Sequence, residues 1–266
     1  MASKTPTNKK TTSNNSNKDD DNQTFISKLP NKRLFKDIIN ISKNPLNDEG
    51  IFYKHDSDNI KKGYAMIIGP TETPYKHGFY FFNFTFPETY PFDPPKLEFM
   101  TGDGKTRFNP NLYRQGKVCL SILNTWSGEQ WTSCQTIRSV LLTLITVLND
   151  KPLLNEPGIK ESHSDFHTYN EMISYKNYEI AILRSVTHNN SFVFFKELFA
   201  EDISEYFNKH KDEIYKTMQL ESDEFYKKHK ISEKSKNKKV ELRSRVYAMS
   251  VIVDYPNLLK SFEKLL

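Results

Sequence analysis

Two side chains in the stretch Phe108–Leu123 have the chemistry and the spacing to act together. Cys119 offers a soft nucleophile just beyond a turn containing Gly116, and Asn111, held by the Pro110 turn, offers a side-chain amide eight positions earlier. A thiolate can attack a carbonyl carbon to form a covalent acyl intermediate, and an amide N–H can donate to an oxygen. Each residue also has a plain structural reading. A cysteine flanked by Val118 and Leu120 is in general a small buried hydrophobe, and asparagine is a favoured turn residue.

The elements that must position this pair can be read from the pattern around it. Leu34, Phe35, Ile38, Ile39 and Ile41 recur at helical spacing from Asn31 to Lys43, and Asn44 before Pro45 ends the pattern. This predicts an amphipathic first helix with Lys32, Arg33 and Lys36 on its outer face. Ile51–His55, Tyr64–Ile68, Phe79–Phe86 and Lys96–Met100 are short apolar or aromatic runs between Gly and Pro punctuation, which predicts a four-stranded antiparallel meander. The prolines of Pro87–Pro95 exclude helix and impose an extended loop. Thr132-Ser133-Cys134-Gln135 has the Thr-x-x-Gln form of a capping box, ahead of a helix marked by Ile137, Val140, Leu141, Leu144 and Leu148 that ends near Asn149. Further helix is expected over Ser164–Arg184, an added helical region over Ser191–Leu220, and a docking helix within Leu242–Leu266. The fold class is α+β, with a helical C-terminal extension.

The bulk properties exclude several classes. The 266 residues fit one ordinary domain with extensions. Thirty-eight basic against 33 acidic residues make a mixed surface, net +5, that names no nucleic-acid partner. Residues 1–27 are expected to be a disordered polar tail, and Lys227–Lys239, with seven lysines and one acidic residue, an exposed segment without the interleaved aromatics of a nucleic-acid module. Two cysteines, Cys119 and Cys134, suit neither a disulfide scaffold nor a metal site and favour a reducing compartment. No stretch approaches the roughly 18 apolar residues of a membrane span, and the N-terminus lacks the apolar run of a signal peptide. A soluble protein of the cytosol or nucleus is expected, with no phosphate-binding loop and no bound cofactor.

The order Tyr90-Pro91-Phe92-Asp93-Pro94-Pro95-Lys96-Leu97-Glu98-Phe99, then Asn109-Pro110-Asn111, then Gly116-Lys117-Val118-Cys119-Leu120-Ser121-Ile122-Leu123 and Trp131 resembles the ubiquitin-conjugating enzymes. Ile68-Gly69-Pro70 before Pro74-Tyr75, and Lys32-Arg33 with Lys36, match the same pattern. The resemblance implies a catalytic domain over 28–186 and an extension over 187–266. Asn109 stands where most members carry histidine, so an amide must brace the turn. The segment Asn124–Gln130 is a lengthened loop, and Ser133 replaces a proline of the segment that engages RING-type ligases. With the C-terminal helices, these departures resemble the larger, C-terminally extended subclass with an Asn-Pro-Asn turn.

The resemblance further implies that Cys119 takes ubiquitin or a related modifier from the thioester of an activating enzyme, which consumes the ATP, and passes it to a substrate lysine, alone or with a ligase. Thiol exchange of this kind is nearly thermoneutral. Asn111 would donate to the oxyanion of the second step, a contribution on the order of 3 kcal/mol, or else only tie the turn to nearby backbone. Glu156 would assist the attacking lysine, or be a solvated loop acid. Lys32, Arg33 and Lys36 would dock the activating enzyme. Phe92 and Trp131 would meet ligases, with packing as the plainer reading of Trp131, and Cys134 would be structural rather than a second acceptor. The protein is expected to act as a monomer, with no nucleic-acid or membrane partner. Alternatives are an inactive family variant that binds ubiquitin or a partner, and a cysteine peptidase in which one of seven histidines activates Cys119.

Overall fold

A computed structural model of the chain describes residues 31–232 and 239–266, together with Met1. The expected tail over 1–27 and residues 233–238 of the lysine-rich segment lie outside the described residues. Helix α1 (Lys32–Lys43) buries Leu34, Asp37 and Ile41. Phe35 and Ile39, read as part of the apolar face, instead point to solvent. At about 100° per residue they fall on the flank shared with Lys32 and Lys36, outside the stripe through 34, 37 and 41.

The sheet is the expected meander, β1 (Ile51–His55), β2 (Lys62–Ile68), β3 (Phe79–Thr85) and β4 (Lys96–Phe99), antiparallel in the order β1-β2-β3-β4. Its register places Tyr53, Ala65, Phe82 and Phe99 in one cross-strand row. Tyr80, Phe82 and Phe84 face the core, where Phe82 lies 5.5 Å from Phe99 and Tyr80 lies 6.0 Å from Phe108. Phe79 and Phe81 face the other way, yet are equally buried. That two-sided burial explains why β3 reads as a nearly unbroken apolar run rather than an alternation.

The second face is covered by the C-terminal extension. Helices α4 (Val193–Leu198) and α5 (Ala200–Lys228) follow the central helices α2 (Ile137–Val147) and α3 (Phe166–Lys176), the latter running on through a π-helical stretch, Asn177–Leu183, to Val186. Phe195 stacks on Phe81 at 4.9 Å, and Phe194 meets Tyr64 at 4.7 Å. Each fully buried ring such as Phe199 contributes on the order of 2 kcal/mol by its apolar burial. Lys54 adds a bond to the Leu198 carbonyl at 2.9 Å and an ion pair with Asp202 at 2.8 Å.

Two local expectations are corrected. The capping box before α2 is Thr136 with Ser139, not Thr132 with Gln135: Thr136 is extended, its hydroxyl accepts from Ser139 N–H, and Ser139 reciprocates. Residues 132–135 form a turn, closed by Gln135 N–H to the Thr132 carbonyl. The segment Leu242–Leu266 is not one helix. It opens with the hairpin β5 (Val240–Ser244) and β6 (Met249–Val253), and only then forms α6 (Tyr255–Glu263). Leu242, Met249, Val251 and Val253 are buried while Glu241, Arg243, Ser250 and Ile252 are exposed, a period of two that outweighs the apolar content taken as helical. Asp165 fastens the hairpin: one of its oxygens accepts from Ser244 Oγ at 2.9 Å, Arg245 N at 2.5 Å and Val246 N at 3.0 Å. Burial pushes the Asp165 carboxyl up, but these donors outweigh it and hold the group below its ordinary value.

Helix α5 also grips the β2–β3 connection. Buried His77 shares a hydrogen bond of 2.9 Å with Tyr206, its other nitrogen lies 3.5 Å from Glu213, and Lys76 pairs with Glu213 at 2.9 Å while the ring of His210 stacks alongside. Burial, with Lys76 adding to it, lowers His77 from 6.5 to about 4. A depressed histidine is neutral in the fold and protonated in the unfolded chain between those values, so stability is complete above 6.5 and falls as the pH drops toward 4. The slope from this one group is at most about 1.4 kcal/mol per pH unit. His77→Asn, chosen because asparagine tolerates the positive φ of 62° at this position, should flatten the decline of the melting temperature between pH 6.5 and pH 4. Identical declines in the two proteins would rule His77 out as its source.

Candidate active site

The centre of the site is a turn held from inside. Asn109 is completely buried, and its amide uses its whole hydrogen-bonding capacity. The nitrogen donates to Tyr75 Oη at 2.9 Å and to the Val147 carbonyl at 2.7 Å. The oxygen accepts from Asn111 N–H at 2.9 Å and from Asn155 Nδ2 at 3.3 Å. The amide that replaces an expected imidazole thus joins the turn to the end of α2 and to the 152–155 turn. Tyr75, whose phenol is kept protonated by burial, passes its own hydrogen to the Phe108 carbonyl at 2.7 Å.

Asn111 and Cys119 are brought together as their spacing suggested. Cys119 N–H donates to the Asn111 carbonyl at 2.9 Å, and Asn111 Nδ2 donates to the Cys119 carbonyl at 2.7 Å. The side-chain oxygen of Asn111 is buried without a hydrogen-bond partner. Gly116, at φ 90°, makes the return between the two, and a side chain there would press on the Phe99 carbonyl at 3.0 Å. Cys119 itself is 2% exposed. On its far side the lengthened loop contributes a clamp missed in the sequence: Thr125 Oγ1 accepts from Leu120 N–H at 2.9 Å and reaches the Val118 carbonyl at 3.0 Å, one residue on each side of the thiol. Gly128 at the loop tip packs against Ser121.

Glu156 follows directly on the Asn155 that bonds Asn109, and its carboxylate accepts from Tyr247 Oη at 2.7 Å. Tyr247 belongs to the turn of the β5–β6 hairpin, so the extension reaches the site. Its carbonyl accepts from Arg114, and its ring forms one side of a sandwich around Arg107, whose guanidinium carbon lies 3.3 Å from the Tyr113 ring centre and 5.0 Å from that of Tyr247. Arg107 donates in turn to the Asn109 carbonyl at 3.1 Å and the Pro110 carbonyl at 2.5 Å. Nothing in the sequence marked Tyr247, which lies 91 residues from its carboxylate partner.

The residues read as partner-facing divide into two groups. Lys32 and Lys36 are exposed, beside exposed Phe35 and Ile39. Arg33 instead turns inward, pairing with Asp37 at 3.1 Å and donating to the Ser133 and Gln135 carbonyls at 2.8 Å each. Asp37 also accepts from Tyr90 Oη at 2.6 Å, so α1, the proline-rich loop and the entry to α2 are tied through one ion pair. Phe92 is 80% exposed, whereas Trp131 is 7% exposed and its indole N–H donates to the Pro91 carbonyl at 2.7 Å. Trp131 therefore supports the loop that presents Phe92. Cys134 is exposed at the surface turn before α2. Among the described residues no cluster of three or more side chains could hold a metal ion, and no helix is long and apolar enough to cross a membrane.

Residues 33–178 match the family model described as ubiquitin-conjugating enzyme. The chain is similar to the protein named ubiquitin-conjugating enzyme E2 Z of Xenopus tropicalis, 43% identical over 153 residues that make up 56% of this chain and 48% of that one. The human protein of the same name is 42% identical over 153 residues, 56% of this chain and 43% of that one. The chain thus spans about half the length of the curated relatives it matches. Among solved structures, that of human ubiquitin-conjugating enzyme E2 G1 is 30% identical, covering 45% of this chain and 96% of that one with a TM-score of 0.40.

The bracing role of Asn109 has a measurable consequence. Asn109→Ala leaves the buried Asn111 N–H without its acceptor and the Val147 carbonyl with only its bond from Asn155 Nδ2 at 3.2 Å, which should lower stability by roughly 1 to 3 kcal/mol. Urea unfolding reads this directly, and a loss below about 1 kcal/mol would show that the turn holds without the amide.

Proposed function

Because the chain belongs to the ubiquitin-conjugating enzyme family, we propose that Cys119 carries ubiquitin or a related modifier as a thioester and releases it to a lysine amine. The observation that carries this reading is the reciprocal pair of bonds between Asn111 and Cys119, which places a side-chain amide against the residue that would bear the acyl group. In the first step the Cys119 thiolate attacks the modifier's C-terminal thioester on the activating enzyme; a C–S bond forms as another breaks, and the activating enzyme's sulfur leaves as thiolate. In the second, the lysine nitrogen attacks the same carbonyl. The C–N bond forms, the C–S bond to Cys119 breaks, and the amine sheds its extra protons to Glu156 or water.

Asn111 serves both readings set out for it. Its Nδ2 has two hydrogens, and one bond, to the Cys119 carbonyl, is enough to hold it beside the thiol. The second hydrogen is the donor for the oxyanion. With Cys119 only 2% exposed, an incoming thioester needs a neighbour to give way, and the exposed loop 124–130 is the neighbour least held by burial. Lys32 and Lys36 form the basic docking face for an acidic activating enzyme, with Arg33 fixing the helix that carries them, and exposed Phe92 is the contact for a ligase. The peptidase alternative draws no support from buried His77, whose ring is engaged by Tyr206 of α5.

Incubation with an activating enzyme, ATP and labelled ubiquitin should give a reductant-sensitive adduct that Cys119→Ala abolishes; no adduct with any activating enzyme and modifier would overturn the assignment. Asn111→Ala should still charge, while discharge to free lysine falls at least about tenfold. Equal losses in both steps would leave Asn111 a bracing residue alone.

A further inference from the structure

The reading of Glu156 leaves open what aims its carboxylate, because the turn that carries it ends at Glu156 and gives its side chain no partner of its own. The partner comes from outside the family-matched residues 33–178. Tyr247 donates to one Glu156 oxygen at 2.7 Å, and its ring and carbonyl bind the two arginines, Arg107 and Arg114, that flank the Asn-Pro-Asn turn. Burial and the adjacent Glu156 push the Tyr247 phenol up, so the proton of this bond stays on tyrosine and the carboxylate accepts. The hairpin turn is itself fixed, since Asp165 collects three donors from Ser244, Arg245 and Val246. The Tyr247 ring also packs 5.7 Å from Tyr169, which donates to the Arg107 carbonyl.

We propose that Tyr247 is a positioning residue for lysine transfer: it holds one oxygen of Glu156 so that the other faces the attacking amine, and the C-terminal hairpin is thereby a working part of the site. This rests on the reading of Glu156 as the group that assists lysine deprotonation. A carboxylate held by one donor loses less orientational freedom when the amine arrives than a free one does. Tyr247 touches no reacting atom, and the charging step, in which no amine is deprotonated, does not need it.

Single-turnover discharge of the charged protein to free lysine, followed across pH, separates the possibilities. Tyr247→Phe removes the hydroxyl and keeps the ring beside Arg107. It should charge normally, discharge roughly three- to tenfold more slowly near neutral pH, and recover toward wild type at high pH, where the amine loses its proton unaided. Glu156→Gln should show a larger loss of the same form, and adding Tyr247→Phe to it should cost nothing more. If Glu156→Gln leaves discharge unchanged, the underlying reading of Glu156 falls and this inference with it. If Glu156→Gln slows discharge while Tyr247→Phe leaves the pH profile in place, lowers it evenly at every pH, or adds fully to Glu156→Gln, the inference alone is overturned. Should Tyr247→Phe fail to charge, Ser244→Ala loosens the hairpin from Asp165 without touching Glu156; the same pH-dependent loss is expected, and an unshifted profile refutes the proposal.

Discussion

The site depends on one buried amide. Asn109 has two donors and two acceptor positions, and all four are matched by groups from four separate places: Tyr75, the end of α2, Asn111 of its own turn, and Asn155. A buried amide missing a partner is costly, so these four segments are obliged to arrive together. The relative placement of Asn111 and Glu156 follows from that requirement, since each sits within two residues of a group bonded to Asn109. An imidazole, with two ring nitrogens, could not satisfy four partners at once.

Around this amide the molecule is a sheet buried on both faces. The inner face carries the aromatic core that supports Phe108 and the turn, and the outer face is covered by α4 and α5. Helix α5, 29 residues or roughly 43 Å long, then carries the chain away from the sheet, so that the hairpin can return beside Arg107 and Glu156. The extension is consequently joined to the domain at several separate places: on the sheet through Phe195 and Lys54, at the β2–β3 connection through Tyr206 and Glu213, at Asp165 through the hairpin, and at the site through Tyr247.

Much of this was legible in the sequence where a local period or spacing carried the information. Helix α1 and the apolar stripe of α2 follow from a repeat of 3.6, the four strands from short apolar runs set off by Gly and Pro, and the pairing of Asn111 with Cys119 from their separation and the intervening Gly116. The true cap of α2 was misplaced because two Thr-led tetrads, 132–135 and 136–139, follow one directly on the other, and only the extended backbone of Thr136 decides between them. The hairpin was missed because the alternation in Leu242–Val253 is short and runs straight into a helix begun by Asp254 and Pro256. Arg33 looked like a surface charge because, beyond Asp37 one turn on, its acceptors are the main-chain carbonyls at 133 and 135, which have no side-chain signature. Tyr247 shares that difficulty: long-range partners that act through a hydroxyl, a ring and a carbonyl leave no pattern in the linear chain.

The π-helical stretch Asn177–Leu183 sets the phase of everything after it. It forms where Asn177 accepts from Tyr80 Oη at 2.6 Å and donates to the Lys76 carbonyl at 2.8 Å, with Gly78 so close that a side chain there would lie 2.0 Å from the Asn177 oxygen. A π turn holds more residues than an α turn, as though one residue had been inserted into an ordinary helix. Winding the same residues as an α helix, with none removed, would rotate the emerging chain by about 100°. Phe195 and Phe199 would then be launched away from the sheet. The angular bearing of the extension is therefore held by the widened turn itself, and losing one residue together with it would leave that bearing nearly unchanged.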